Sequence, residues 1–161
     1  MKPRHATYLL LLAGAAGLAG CGGTPSTADA TANAARASEP EVVRRGALSL
    51  RVQALQTAAL PEPVAAAYGV GRDRNRVLLL VALRQGEDAV ASSPEATITV
   101  EVRDLLGRAK PMPLSTLASG ELVDHIGTVR ISPPETLHFQ VRALPQGGEP
   151  LELTITRDFL P

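Results

Sequence analysis

Alternating apolar and polar residues dominate the chain from Gly46 onward, and that two-residue period marks half-buried β-strands. Leu48, Leu50, Val52 and Ala54 alternate with Ser49, Arg51 and Gln53. Ile98, Val100 and Val102 alternate with Thr97, Thr99, Glu101 and Arg103 in the cleanest pattern of the chain. Leu137, Phe139, Val141 and Ala143 do the same with His138, Gln140 and Arg142, and Leu151, Leu153 and Ile155 form a last strand after the Gln146-Gly147-Gly148 turn. Residues 77–83 are apolar without a break, which predicts a central strand with Leu79 and Leu80 largely buried on opposite faces. A further strand is predicted over 122–131, after Gly120. Met112, Leu114 and their flanking prolines predict a short edge segment, because proline cannot donate to a central ladder.

Only one helix is legible. Pro63 near its start and Gly69 past its end bracket one or two turns, with Tyr68 expected to plug the end of the core. About seven short strands, frequent turn signals and one short helix predict an all-β fold. The expected architecture is an immunoglobulin-like antiparallel β-sandwich, although the cysteine and tryptophan marks of antibody domains are missing. Long helices do not alternate with the strands, which argues against a parallel sheet.

The first forty-five residues behave differently. Lys2, Arg4 and His5 precede an apolar stretch from Leu9 to Leu18, too short to span a bilayer as a mature helix. Leu18-Ala19-Gly20-Cys21 then resembles the lipobox of a bacterial lipoprotein signal, in which the cysteine is acylated and becomes the mature N-terminus. Cys21 is the only cysteine, and a disulfide is impossible once it is acylated. The resemblance implies an envelope protein anchored through acyl chains. Gly22, at a position where Asp commonly signals inner-membrane retention, points to the outer membrane facing the periplasm. The expected organisation is a signal peptide at 1–20, a lipidated cysteine and flexible tether at 21–45, and a β-sandwich at 46–161. The tether is rich in Ala, Thr, Ser and Gly, and its mean span would be roughly 27 Å.

Charge narrows the function. The 161-residue chain carries 16 basic and 16 acidic side chains. Lys2 and Arg4 leave with the signal, so the mature chain is slightly negative and has no general attraction to nucleic acid. Tyr68, Phe139 and Phe159 are the only aromatics after residue 20, too few for the stacking surfaces that bind sugars or single strands.

Candidate chemistry is sparse. His125 and His138 lie in different strands, without further ligands at metal spacing, so no metal or other cofactor is expected. His125 shares a face with Val123, Val129 and Ile131, which predicts a half-buried, hydrogen-bonded histidine, whereas His138 points away from Phe139 into solvent. Asp124 is adjacent to His125 but on the opposite face, so it cannot orient that ring in a hydrolytic triad. No Gly-x-Ser-x-Gly elbow and no phosphate-binding glycine loop is present. The one concentrated polar feature is Arg72-Asp73-Arg74-Asn75-Arg76. Arg72, Arg74 and Arg76 could grip carboxylate or phosphate, or could simply be a solvated connection.

Three segments are similar to an uncharacterised bacterial envelope family, domain-of-unknown-function family 4426. They are Pro63-Val64-Ala65-Ala66-Ala67-Tyr68-Gly69, Val102-Arg103-Asp104-Leu105-Leu106-Gly107-Arg108 and the ending Arg157-Asp158-Phe159-Leu160-Pro161. The resemblance runs from about Leu48 to Pro161 and implies a secreted, immunoglobulin-like β-sandwich, with no reaction, ligand or catalytic residue. Family members are richer in aromatics on the first strand and around 123–131, and usually carry an ordinary cleavable signal. The sequence therefore leads to a non-catalytic, lipid-anchored binding or scaffolding module, whose partner is an envelope protein or an anionic envelope component. The alternatives are a periplasmic small-ligand-binding or weakly catalytic accessory domain, and a structural spacer.

Overall fold

The computed structural model describes residues 39–87 and 90–161. Cys21, the signal and most of the expected tether lie outside them. Among the described residues, eight strands form two antiparallel sheets. The strands are β1 (Glu41–Arg45), β2 (Leu48–Gln56), β3 (Arg76–Gln85), β4 (Ala96–Asp104), β5 (Leu114–Ser119), β6 (Leu122–Arg130), β7 (Glu135–Pro145) and β8 (Leu151–Phe159). One sheet has the order β1-β2-β3-β6-β5 and the other β4-β7-β8. A short 3-10 turn, Thr57–Ala59, and helix α1, Glu62–Ala67, join β2 to β3.

The core fills the space between the sheets. Leu50 and Val52 of β2, Val77, Leu79 and Val81 of β3, and Leu137, Phe139 and Val141 of β7 are fully buried there. Phe159 closes one end by an edge-to-face contact with Phe139, ring centroids 6.4 Å apart. A second cluster lies on the outer face of the five-stranded sheet. Leu60 and Ala65 pack there on Leu78 and Ile126, with Tyr68 half-buried at their edge. Tyr68 therefore belongs to this outer cluster and not to the inter-sheet core that it was expected to plug.

β3 explains its own composition. It is the middle strand of five, paired with β2 on one side and β6 on the other. Its odd positions face the core and its even positions meet the α1 layer, so an unbroken apolar run is what burial on both faces demands. Leu80 departs from expectation: it is only half-buried, packed against the outer cluster and not enclosed in it.

β1 is the eighth strand, and it corrects the tether, whose last five residues it occupies. Glu41–Arg45 pairs along its whole length with β2, through a two-residue turn in which Gly46 takes a φ of +56°. Arg157 on β8 donates a 2.7 Å hydrogen bond to Glu41, tying this edge to the opposite sheet. The predicted edge segment also moves. Met112 is a buried bolt, and the edge strand β5 begins at Leu114. Gly127 makes room for that bolt, since a Cβ there would stand 2.7 Å from Met112 Cγ.

The Asp104 turn shows why its sequence is distinctive. The buried Asp104 carboxylate accepts backbone N–H bonds from Leu106 and Arg108, both 2.9 Å, and a 2.6 Å bond from Arg108 Nε. Gly107 adopts a φ of +76°, a region that L side chains avoid. Burial alone would raise the Asp104 carboxyl, but the bonds from Arg108 and Leu106 hold it below its ordinary value.

Candidate functional site

The charged loop before β3 is pinned rather than free. Thr57, fully buried, donates through Oγ1 to the Asp73 carbonyl at 3.0 Å and accepts the Asp73 N–H at 2.9 Å. The Asp73 carboxylate accepts the Asn75 N–H at 2.8 Å. Gln56 Nε2 donates to the Arg74 carbonyl and to the Leu160 carbonyl, both at 2.9 Å. Backbone polar groups of the loop that would otherwise go unpaired are thus met by Thr57 of the 3-10 turn and by Gln56 at the end of β2, which also holds the C-terminal segment.

The three sequence-predicted arginines do not act alike. Arg72 turns back and donates to the Ala58 carbonyl at 2.9 Å, so its guanidinium supports the turn. Arg74 projects from the exposed loop, and Arg76 opens β3 half-buried. Neither has an ion pair among the described residues. Arg76 stands directly opposite Arg130, the last residue of β6, and sequence reasoning missed that residue. The signal was not local: β3 and β6 are separated by two intervening strands, so only the pairing register brings Arg130 to Arg76.

Carboxylates near this end are already engaged. Glu135 is paired with Lys110 and accepts the Ser132 N–H at 2.7 Å. Burial alone would raise the Glu135 carboxyl, but Lys110 and Ser132 hold it below its ordinary value. Lys110 also donates to the Arg130 carbonyl at 3.2 Å. Elsewhere the pattern is different: Arg45, Arg84, Arg103, Arg108, Arg142 and Arg157 each have a carboxylate partner.

The histidines do not build a site together. His138, on the outer face of the three-stranded sheet, shares a 2.8 Å hydrogen bond with Thr156 and is only half-buried. His125 lies on the inter-sheet side of β6, between Val81 and Thr116 in register. It borders a groove of about 330 Å³ with Leu83, Ser93, Pro94, Glu95, Ala96 and Val123. The expectation that it is hydrogen-bonded fails at Nδ1, which is buried and has no partner among the described residues. Ser93 and Asp124 are close by, yet they are committed elsewhere. Arg84 pairs with Asp124 and donates to Ser93 Oγ at 3.1 Å, while Ser93 Oγ accepts the Val123 N–H at 2.8 Å. His125 joins none of these bonds, so no Ser-His-Asp relay forms.

Burial holds the His125 imidazole below its ordinary value of 6.5; the Asp124 charge opposes this and the Arg84 charge adds to it. The unfolded chain therefore takes up the proton at higher pH than the folded one. Stability falls as pH drops below 6.5, and the loss ends only where the folded histidine also protonates. His125→Gln removes this part of the acid dependence. Melting temperatures at about pH 7.5 and 5.5 should differ less in the variant than in the wild type, and an equal difference would place the acid sensitivity elsewhere.

Among the described residues, no three His, Cys, Asp or Glu side chains come together as a metal site. Two further grooves lie at turns, about 410 Å³ beside the β7–β8 hairpin and about 520 Å³ beside the β1–β2 turn.

Three comparisons place the chain among known proteins. The family model described as "Domain of unknown function (DUF4426)" matches residues 42–161. A crystal structure of a DUF4426 family protein from Pseudomonas aeruginosa PAO1 is similar at 21% identity, covering 76% of this chain and 95% of that one, with a TM-score of 0.62. FetP from uropathogenic Escherichia coli strain F11 is similar at 12% identity, over 76% of this chain and 95% of that one, with a TM-score of 0.51. A copper-bound variant of FetP is similar to the same degree, at 12% identity and a TM-score of 0.51 over 74% and 95% of the two chains. None of the curated proteins matches the sequence.

Proposed function

The chain belongs to the DUF4426 family, and from that premise we propose that it is a lipid-anchored cell-envelope protein whose sandwich binds or scaffolds another envelope component without catalysing a reaction. The observation that carries this reading is the arginine end of the domain. There, cationic side chains on a pinned loop and a central strand have no carboxylate partner among the described residues, while most arginines elsewhere are paired. Rigid scaffolds present binding residues in this way. The lipobox ending in Cys21 supports the anchor, and two or three acyl chains would make it stable where one would be marginal.

The test is the mature N-terminus. Mass spectrometry of envelope-extracted protein is expected to find a chain beginning at Cys21 and carrying acyl mass. An unmodified Cys21, or a chain that still begins at Met1, removes the anchor from the account.

Copper binding of the kind named for the FetP variant does not fit the residues described. Among them no group of three His, Cys, Asp or Glu side chains converges, and His125 and His138 lie in different sheets. A small-ligand reading is favoured only by the groove beside His125, whose buried Nδ1 has no partner among the described residues. That groove brings too few free polar groups together to fix a ligand, because Ser93 is held by β6 and Arg84.

A further inference from the structure

We infer that Arg76 and Arg130, with Arg74 beside them, form a site for a phosphoryl dianion: inorganic phosphate or a phosphate monoester group. The inference rests on the binding-module reading and names the ligand chemistry of that same end.

The register carries it. Arg76 and Arg130 are directly opposed across β3 and β6. The neighbouring bond, from Ile131 N–H to the Asn75 carbonyl at 2.9 Å, makes Asn75 and Ile131 the hydrogen-bonded pair. Arg76 and Arg130 are then a non-hydrogen-bonded pair, the arrangement in which opposed side chains approach most closely. Both have even positions on strands whose even residues Leu78 and Ile126 face the α1 layer. They therefore stand side by side on the outer face, at its rim.

Like charges directly opposed in a sheet destabilise it. A fold without use for the pair would be expected to hold a carboxylate between them. Here Glu135 is taken by Lys110 and Ser132, the Asp73 carboxylate by Asn75, and Asp158 by the Thr136 hydroxyl at 2.6 Å. A carboxylate ligand would neutralise one guanidinium only. A tetrahedral dianion matches two, and each planar fork can give it two parallel N–H···O bonds. Arg74 lies on the same pinned turn and adds a third cation, whereas Arg72 is withdrawn to the Ala58 carbonyl.

The experiment uses residues 39–161, since a DUF4426 relative 95% covered by this unit crystallises as such. Inorganic phosphate is titrated at low ionic strength, with binding and melting temperature both followed. The wild type is expected to bind saturably and to melt higher with phosphate. Arg76→Gln and Arg130→Gln are each expected to weaken binding roughly tenfold or more. Without phosphate, Arg130→Gln is expected to melt at or above the wild-type temperature, because it removes a repulsion. Arg142→Gln, whose arginine is paired with Glu152 on the other sheet, serves as the control and should bind normally.

Vesicles of phosphatidylcholine with and without phosphatidic acid distinguish the source. Sedimentation with phosphatidic acid that is lost in Arg130→Gln assigns the phosphoryl group to a lipid headgroup; phosphate binding without sedimentation assigns it to a soluble ligand. An equal phosphate response in wild type and both variants overturns the site, and so does a melting temperature lowered by Arg130→Gln. Loss of phosphate binding leaves the anchored binding-module reading standing if a partner is still crosslinked at this end. Saturable phosphate binding with no envelope contact sinks that reading instead.

Discussion

Leu79→Ala is expected to lower the stability of the 39–161 unit by about 2–5 kcal/mol, toward the upper end of that range. Leu79 is fully buried in the inter-sheet core. Its lateral neighbours in register are Ala54 on β2 and Gly127 on β6, two positions with almost no side chain to move into a vacancy. Met112 already fills the space over Gly127. A cavity that cannot collapse keeps its full cost, because the lining atoms lose dispersion contacts as well as transfer energy. Leu80→Ala is the internal comparison. Leu80 faces the α1 layer and is half-buried, so its truncation should cost clearly less. Urea unfolding of both variants checks the order. Equal losses, or a larger loss at Leu80, would reverse the two faces of β3 and with them the sandwich.

The second large effect is expected at Cys21. Cys21→Ala removes the thiol that acylation requires, so the chain should keep its precursor mass and lose its acyl mass. Membrane attachment would then depend on the uncleaved apolar segment alone, which is shorter than a bilayer-spanning helix. Fractionation of envelopes, with the 39–161 fold checked by its unchanged unfolding curve, separates loss of anchoring from loss of folding. A variant that remains acylated, or is processed to the same mature mass as the wild type, would refute the lipobox.

What could be read from the chain follows the range of the forces involved. The strands with three or more inward apolar positions were legible, because burial imposes the two-residue period directly. β3 was legible as central, because only burial on both faces tolerates seven apolar residues in succession. β1 was not: it has five residues and presents only Val43 toward the core, too few for a period to show. Its existence depends on pairing with β2 and on Arg157 reaching Glu41 across more than a hundred residues. The family match beginning at residue 42 takes in all of this strand but Glu41, where the sequence resemblance had begun at about Leu48.

The candidate site was half legible for the same reason. Arg74 and Arg76 stand out as a local cluster. Arg130 carries no local mark, and nothing in the sequence separates Arg72, which turns back to the Ala58 carbonyl, from its neighbours. His125 shows the converse limit. Its face followed from alternation, but the isolation of Nδ1 depends on how β5, β6 and the 92–95 segment meet.

The central claim is that the anchored domain makes contact through its arginine end. Photo-crosslinking side chains placed at Asn75 and Ser132, which flank that end, and at Gln140, exposed on the outer face of the three-stranded sheet, test it in intact envelopes. The account predicts discrete adducts from Asn75 and Ser132, lost when Arg74, Arg76 and Arg130 are all changed to Gln, and none from Gln140. The same adducts from all three positions, or from Gln140 alone, would contradict it.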